Sequence, residues 1–358
     1  MALNLFFLFF NICVKITPNL SIHKVVSIIL LRIVQSLKLR NRHFSCTFVQ
    51  NIFVMLPFSV TILGSSSALP TSTRFPTSQV VSLNERLYLV DCGEGAQIQL
   101  RKFGIKAGKI DHIFISHLHG DHIFGLPGLI STMALGGKKG ELHIYSHSEL
   151  KIMMDHLMKF MNEFDDFRVV YHPLNFRTSA VIYEDSKIMV ESFPLKHRIP
   201  CCGFIFREKP HELHLRGDII EYLKVPISQR VVIKSGADYT TPEGKIIPNH
   251  ELTFPPDPVR TYAFCTDTLC RKQIIPLIEN ADLLYHEATF SDELSDLALK
   301  TYHTTARQAA QLAGEAGVKK LIIGHFSSRY KNVKPLVDEA RVVFPNTFSA
   351  NDGDRFEI

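Results

Sequence analysis

The stretch Ser116-His117-Leu118-His119-Gly120-Asp121-His122 offers three imidazoles and a carboxylate, with only a leucine and a glycine as spacers. Before it, Asp111-His112-Ile113-Phe114-Ile115 reads as a buried β-strand. After it, Gly125-Leu126-Pro127-Gly128-Leu129-Ile130 reads as the start of a helix, with Pro127 suited to an early helical position. The polar side chains therefore occupy a tight loop between strand and helix, where Gly120 is expected to let the backbone bend steeply. His117 and His119 can converge on one ion, while Asp121 and His122 face a second. Imidazole nitrogen with a little carboxylate oxygen suits Zn²⁺, and Mn²⁺ or Fe²⁺ accept the same donors. A lone histidine in such a place is usually an ordinary loop residue. This density of ligating side chains at a strand end is the mark of a metal site.

One loop cannot fill two coordination spheres, so remote ligands are expected at other strand ends. Leu195-Lys196-His197 follows an apolar strand, Thr266-Asp267-Thr268 a second, and Gly324-His325-Phe326 a third. The assignment that results gives His117, His119 and His197 to one metal, and Asp121, His122 and His325 to the other, with Asp267 bridging. Two more clusters, His286-Glu287-Ala288-Thr289 and Tyr302-His303-Thr304-Thr305, bring a carboxylate and a histidine suited to proton delivery. Thr304 or Thr305 can cap the helix that follows.

The short H-x-H-x-D-H pattern resembles that of the metallo-β-lactamase superfamily. With the remote segments added, the chain resembles ribonuclease Z in its short form. The matching elements are Leu63-Gly64-Ser65-Ser66-Ser67-Ala68-Leu69-Pro70-Thr71, Asp91-Cys92-Gly93-Glu94-Gly95, the loop at 114–122, His197, Asp267, the two proton-delivery clusters and Gly324-His325-Phe326-Ser327-Ser328-Arg329-Tyr330. They run in family order from about 58 to 353.

That resemblance implies an α/β chain with the metallo-β-lactamase fold, a four-layer αββα sandwich carrying an inserted tRNA-binding arm. It implies a zinc-dependent endoribonuclease, with two Zn²⁺ per chain, that removes 3′ trailers from precursor tRNA and leaves a tRNA 3′-hydroxyl and a trailer 5′-phosphate. It also implies a homodimer, in which the arm of one subunit grips tRNA. Chemically, paired metals make hydroxide available near neutral pH, with Asp121 as general base and His303, oriented by Glu287, as proton donor to the leaving oxygen. Ser65, Ser66 and Arg329 are candidate backbone-phosphate contacts.

Residues 1–54 stand apart, with six Lys/Arg and no acidic residue; taking these from the chain's 40 leaves 34 basic against 35 acidic residues. The formal charge of +5 therefore marks the extension and not the catalytic part, which has no global basic field for nucleic acid. The apolar runs of the extension are too short to span a bilayer, and no membrane is expected for the catalytic domain. The extension reads as a mis-called start or a targeting segment, ahead of a metallo-β-lactamase domain over 55–358. Seven cysteines without paired spacing fit a reducing, cytoplasmic setting.

Within the domain, residues 207–257 break the strand–helix rhythm with a polar, proline-bounded excursion, the expected arm. In it 218–224 reads as helix, and 230–234 and 245–248 as strand. Its charges nearly balance, so a grip on RNA must rest on positioned contacts such as Arg216, Lys224, Arg230 and Lys234. Two other readings compete. A hydrolase of small phosphodiesters or thioesters needs the same metals but no arm. A metal-free RNA-binding scaffold would have lost ligands, and all seven are present.

Overall fold

The computed structural model describes residues 58–69, 71–159 and 167–358. The extension 1–54 lies outside the described residues. The chain divides into two compact units, and within the described residues one is Leu213–Phe254 and the other holds everything else.

In the larger unit the first strands are β1 (Phe58–Gly64), β2 (Ser78–Leu83) and β3 (Arg86–Cys92). β2 and β3 form a hairpin turned by Asn84 and Glu85, both in left-handed backbone. β4 (Ile110–Phe114), β5 (Gly140–Ser146) and β6 (Phe167–Pro173) follow as parallel neighbours, and parallel pairing requires the helices Leu126–Leu135 and Glu149–Met158 as crossovers. The second sheet opens with β7 (Ala180–Glu184), β8 (Ile188–Leu195) and β9 (Cys201–Glu208).

The smaller unit carries four two-residue strands: β10 (His214–Leu215), β11 (Tyr239–Thr240), β12 (Ile246–Ile247) and β13 (Thr253–Phe254). Its core is Ile220, Val225, Ile233, Tyr239, Ile247 and Leu252. Residues 230–234, read as strand, belong instead to the helix Ile227–Lys234. The run Val231-Val232-Ile233 has β-type side chains, but only Ile233 is buried, which suits one face of a short helix.

Back in the larger unit, β14 (Thr261–Cys265), β15 (Leu283–Glu287), β16 (Leu321–Gly324) and β17 (Thr347–Ser349) complete the second sheet, and β18 (Arg355–Glu357) returns to pair with β1. The sheet orders are β18-β1-β2-β3-β4-β5-β6 and β17-β16-β15-β14-β9-β8-β7.

Three apolar clusters make the four layers. Phe58, Tyr88 and Phe114 of the first sheet meet Phe204, Phe206, Tyr262 and Phe264 of the second in one continuous core. Leu100, Leu126, Leu129 and Met154 bind helices to the outer face of the first sheet. Ala306, Ala309, Ala313, Leu336 and Ala340 bind the helices Ala306–Glu315 and Lys334–Val343 to the outer face of the second. Each sheet is thus buried on both faces, which explains apolar runs in place of strict alternation. That is the αββα sandwich. The Cys201-Cys202-Gly203 opening of β9 carries no β-branched signal, and the arm as read from sequence began at Arg207, still within that strand.

Candidate metal centre

Strand direction builds the site. β14, β15 and β16 run parallel, so the residues that follow or end them, Asp267, Glu287 and His325, emerge at one edge. β3 and β4 are parallel too, and bring Asp91 and the 116–122 loop together. The loop needs close backbone approach at Gly125, where a Cβ would lie 2.1 Å from the Gly93 carbonyl oxygen. Gly120 does not take a left-handed backbone; it opens the short helix Gly120–Ile123 beneath the ring of Phe124. Its expected role in the bend is therefore corrected to one of space.

Two groups of ligating atoms share Asp267. His117, His119, His197 and Asp267 form one, and Asp121, His122, Asp267 and His325 the other, each within 4.8 Å throughout. Asp267 divides its oxygens between them. Oδ2 is 3.7 Å from Nε2 of both His117 and His197, while Oδ1 is 3.4 Å from His122 Nε2 and 3.1 Å from His325 Nε2. His119 joins the first group through Nδ1, 3.0 Å from His117 Nε2 and 3.2 Å from His197 Nε2. Asp121 Oδ2 joins the second, 3.3 Å from His122 Nε2 and 3.4 Å from His325 Nε2.

The outer nitrogens explain why the inner ones point this way. His122 Nδ1–H donates to Asp91 Oδ2 at 2.7 Å, and His197 Nδ1–H to the Tyr302 carbonyl at 3.1 Å. Ser116 Oγ–H donates to Asp91 at 2.9 Å, which leaves its oxygen to accept from His117 Nδ1–H at 3.0 Å. Thr289 Oγ1–H donates to Glu287 Oε2 at 2.7 Å and so accepts from His325 Nδ1–H at 2.9 Å. All four rings turn Nε2 inward, with Nδ1 committed to an orienting partner, the arrangement a metal ligand requires.

Asp91, Ser116, Thr289 and the Tyr302 carbonyl were not foreseen as orienting groups. Asp91, inside a quoted motif, carried a signal; the carbonyl carried none. Asp91, Tyr302 and His325 all hold left-handed backbone, with φ of 53°, 62° and 57°. Such strain at non-glycine residues beside a site must be held by the surrounding packing.

The electrostatics ask for positive charge. Burial opposes a proton on His122, but Asp121, Asp91 and Asp267 outweigh it and push its pKa up. Burial likewise opposes ionisation of Asp267 and Asp121, yet the surrounding histidines hold both carboxyls well below their usual range. Burial pushes His117 down, aided by His122. His122 Nε2 is buried without a hydrogen-bond partner, as expected of an atom whose partner is a cation. The donor set fits two divalent ions of the borderline class.

Beside this centre, Glu287 Oε1 lies 2.8 Å from His303 Nδ1. Burial disfavours charge on His303, but Glu287 more than offsets it and raises the pKa to about 9. The His303 ring is 5.2 Å from that of His197 and 5.4 Å from that of His325, between the two ligand groups. Thr305 caps the next helix in a full capping box with Gln308, which fixes the segment that carries His303.

An open cavity of about 620 Å³ overlies the centre, walled by Ser67, Leu69, Phe124, Arg198, His303 and Arg329 among others. Arg329 is exposed on this wall, 5.8 Å from the Phe290 ring centroid. Ser65 and Ser66 are fully buried, and their hydroxyls donate to Asp352 and to the Leu69 carbonyl. The direct phosphate contact expected of them does not fit that burial, and Ser67 to Leu69 form the wall instead. In the smaller unit, Arg216 stacks 5.5 Å from the Phe254 ring, Arg230 donates to the Val225 carbonyl, and Lys224 is exposed in left-handed backbone. Lys234 is half-buried.

Face-to-face sheets with helices outside, and paired His/Asp groups at the strand ends, define a metallo-hydrolase of the metallo-β-lactamase fold. The metallo-β-lactamase fold protein YhfI of Bacillus subtilis shares that fold, with a TM-score of 0.61 at 19% identity over 85% of this chain and 100% of that one. The family model for Anti-Pycsar protein Apyc1 matches residues 58–223. Ribonuclease Z of Bacteroides fragilis is 50% identical over 298 residues, 83% of this chain and 98% of the relative. The short form of human tRNase Z aligns with a TM-score of 0.61 and 28% identity, over 83% of this chain and 98% of its own. The chain belongs to the ribonuclease Z family, and is an enzyme of that endoribonuclease class.

Proposed function

We propose that the chain is a zinc-dependent endoribonuclease that removes 3′ trailers from tRNA precursors. The observation that carries the reading is Asp267 with its two oxygens turned to two separate histidine groups, beside the His303–Glu287 pair. His117, His119 and His197 would hold one Zn²⁺, and Asp121, His122 and His325 a second, with Asp267 available to both. Bound there, Zn²⁺ would supply an activated water and neutralise developing charge on the phosphate.

The protein's own groups complete the displacement. As the water oxygen bonds to phosphorus, Asp121 takes its proton, and the bond from phosphorus to the tRNA 3′-oxygen breaks. His303, with Nδ1 committed to Glu287, gives the departing 3′-oxygen a proton. The tRNA keeps a 3′-hydroxyl and the trailer carries a 5′-phosphate. The exposed Arg329 meets a backbone phosphate.

The unit around Leu213–Phe254, the arm of this reading, recognises tRNA by positioned contacts from Arg216, Lys224, Arg230 and Lys234. The active form is a homodimer, a reading that rests on the family. Cytoplasmic residence is supported by the free cysteines Cys92, Cys201, Cys202, Cys265 and Cys270. Among the described residues no helix is long and apolar enough to cross a membrane.

The deciding experiment is incubation with a 3′-extended precursor tRNA and mapping of both new ends. A single cut after the acceptor stem, with the stated termini, supports the reading. Hydrolysis of small phosphodiesters with the precursor left intact makes the small-substrate hydrolase the better one.

A further inference from the structure

A second cavity, of about 390 Å³, is lined by Lys196, Leu269, Cys270, Arg271, Leu299 and His303, with Gln308. Among the described residues His303 alone lines both this cavity and the larger one. Lys196 and Arg271 are exposed, and neither forms an ion pair among the described residues. Leu299 is exposed on the same wall, while Leu269 and Cys270 are half-buried. Two uncompensated cations around an apolar floor are the chemistry of a nucleotide subsite, with phosphate oxygens for the cations and an apolar bed for sugar or base.

The segments that carry these residues are tied together. The Lys196 amide donates to Thr268 Oγ1 at 3.1 Å, and the Leu269 amide to the Lys196 carbonyl at 2.9 Å. Thr304 Oγ1 donates to the Thr268 carbonyl at 2.7 Å, joining the His303 segment to the same wall. The groove is therefore held by the backbone that positions Asp267 and His303.

We propose that this groove binds the retained strand, the nucleotides immediately 5′ of the scissile phosphate, with Lys196 and Arg271 on their phosphates. The assignment rests on the reading of His303 as proton donor to the 3′-oxygen. In an in-line displacement the leaving group departs opposite the attacking water. The sugar that bears the departing oxygen must then lie against His303, and its strand continues into whichever groove His303 also borders. The trailer, keeping the phosphate, remains in the larger cavity with Arg329. The two cavities thus give the active centre a strand polarity.

The test is product inhibition of precursor cleavage by wild type and by a Lys196→Ala/Arg271→Glu double variant. One inhibitor is an acceptor-stem minihelix ending in a free 3′-hydroxyl, and the other a 5′-phosphorylated trailer oligonucleotide. The minihelix should inhibit the variant at least ~10-fold more weakly, and the trailer equally in both, which also shows the variant to be folded. The salt slope of minihelix binding should fall by roughly 0.7 for each lost phosphate contact. Weaker trailer inhibition with unchanged minihelix inhibition overturns the polarity, and identical inhibition of both enzymes overturns the groove. A wild type that leaves precursor tRNA uncut overturns the tRNA reading itself, and this assignment with it.

Discussion

The Glu287 carboxylate is completely buried and lies 2.8 Å from Nδ1 of His303, a ring on the wall of the cavity. The Thr268 and Thr289 amides also donate to Glu287, at 3.1 and 3.0 Å, so the carboxylate is locked before any substrate arrives. A charge held this rigidly can orient the imidazole and keep it protonated at neutral pH.

His303→Ala should lower turnover of precursor tRNA by roughly 10²–10⁴-fold with bound metal unchanged. Glu287→Gln should show a smaller loss in the same direction. With a nitrophenyl phosphodiester, whose leaving group needs no proton, the His303→Ala loss should largely vanish. Equal losses on both substrates would assign His303 to structure or metal binding.

Asp267→Ala should empty the centre of both ions, because it is the one side chain shared by the two groups. Elemental analysis is expected to give about two Zn²⁺ per wild-type chain and close to none in the variant. Chelation of wild type should abolish cleavage, and Zn²⁺ should restore it. Full activity in a demetallated sample would refute the metal mechanism.

Removal of the unit Leu213–Phe254 should raise KM for precursor tRNA far more than it lowers turnover of a small phosphodiester. The unit holds five Lys/Arg and five Asp/Glu, so bulk charge cannot supply its affinity. Asp121→Ala should do the reverse, abolishing turnover of both substrates while tRNA affinity largely survives. An arm deletion that harms both substrates equally would make the unit a structural support.

A group of rings away from the centre predicts a loss of stability in acid. His112 stacks on His143 with centroids 5.1 Å apart, and His143 Nδ1 lies 2.9 Å from His172 Nε2. Burial, then the neighbouring His143, pushes the pKa of His112 down to about 4 from an ordinary 6.5. A folded pKa below the unfolded one means that protonation favours unfolding. The contribution is complete above about pH 6.5 and fades as pH falls toward 4. Denaturant midpoints compared at pH 7.5 and 4.5 should drop less for His112→Phe than for wild type. An identical drop in both would show that His112 does not titrate on unfolding.

The chemistry of the centre was legible in the chain because it is local. Ligating side chains crowd the 116–122 loop, and apolar strands are followed within two residues by His197, Asp267 and His325, with Glu287 closing another. Parallel strands must send their carboxyl ends to one edge, so those residues had to meet. Local periodicity could not tell the helix Ile227–Lys234 from a strand, nor find β9, because burial of those residues is set by partners distant in sequence. Packing alone decided which nitrogen of each imidazole faces inward, since Asp91, Ser116, Thr289 and the Tyr302 carbonyl come from four separate segments. It also decided that the Ser65 and Ser66 hydroxyls turn into the protein, and that His303 borders two cavities. A hydrogen-bond direction depends on where its partner folds to, and no pattern of residues along the chain contains that.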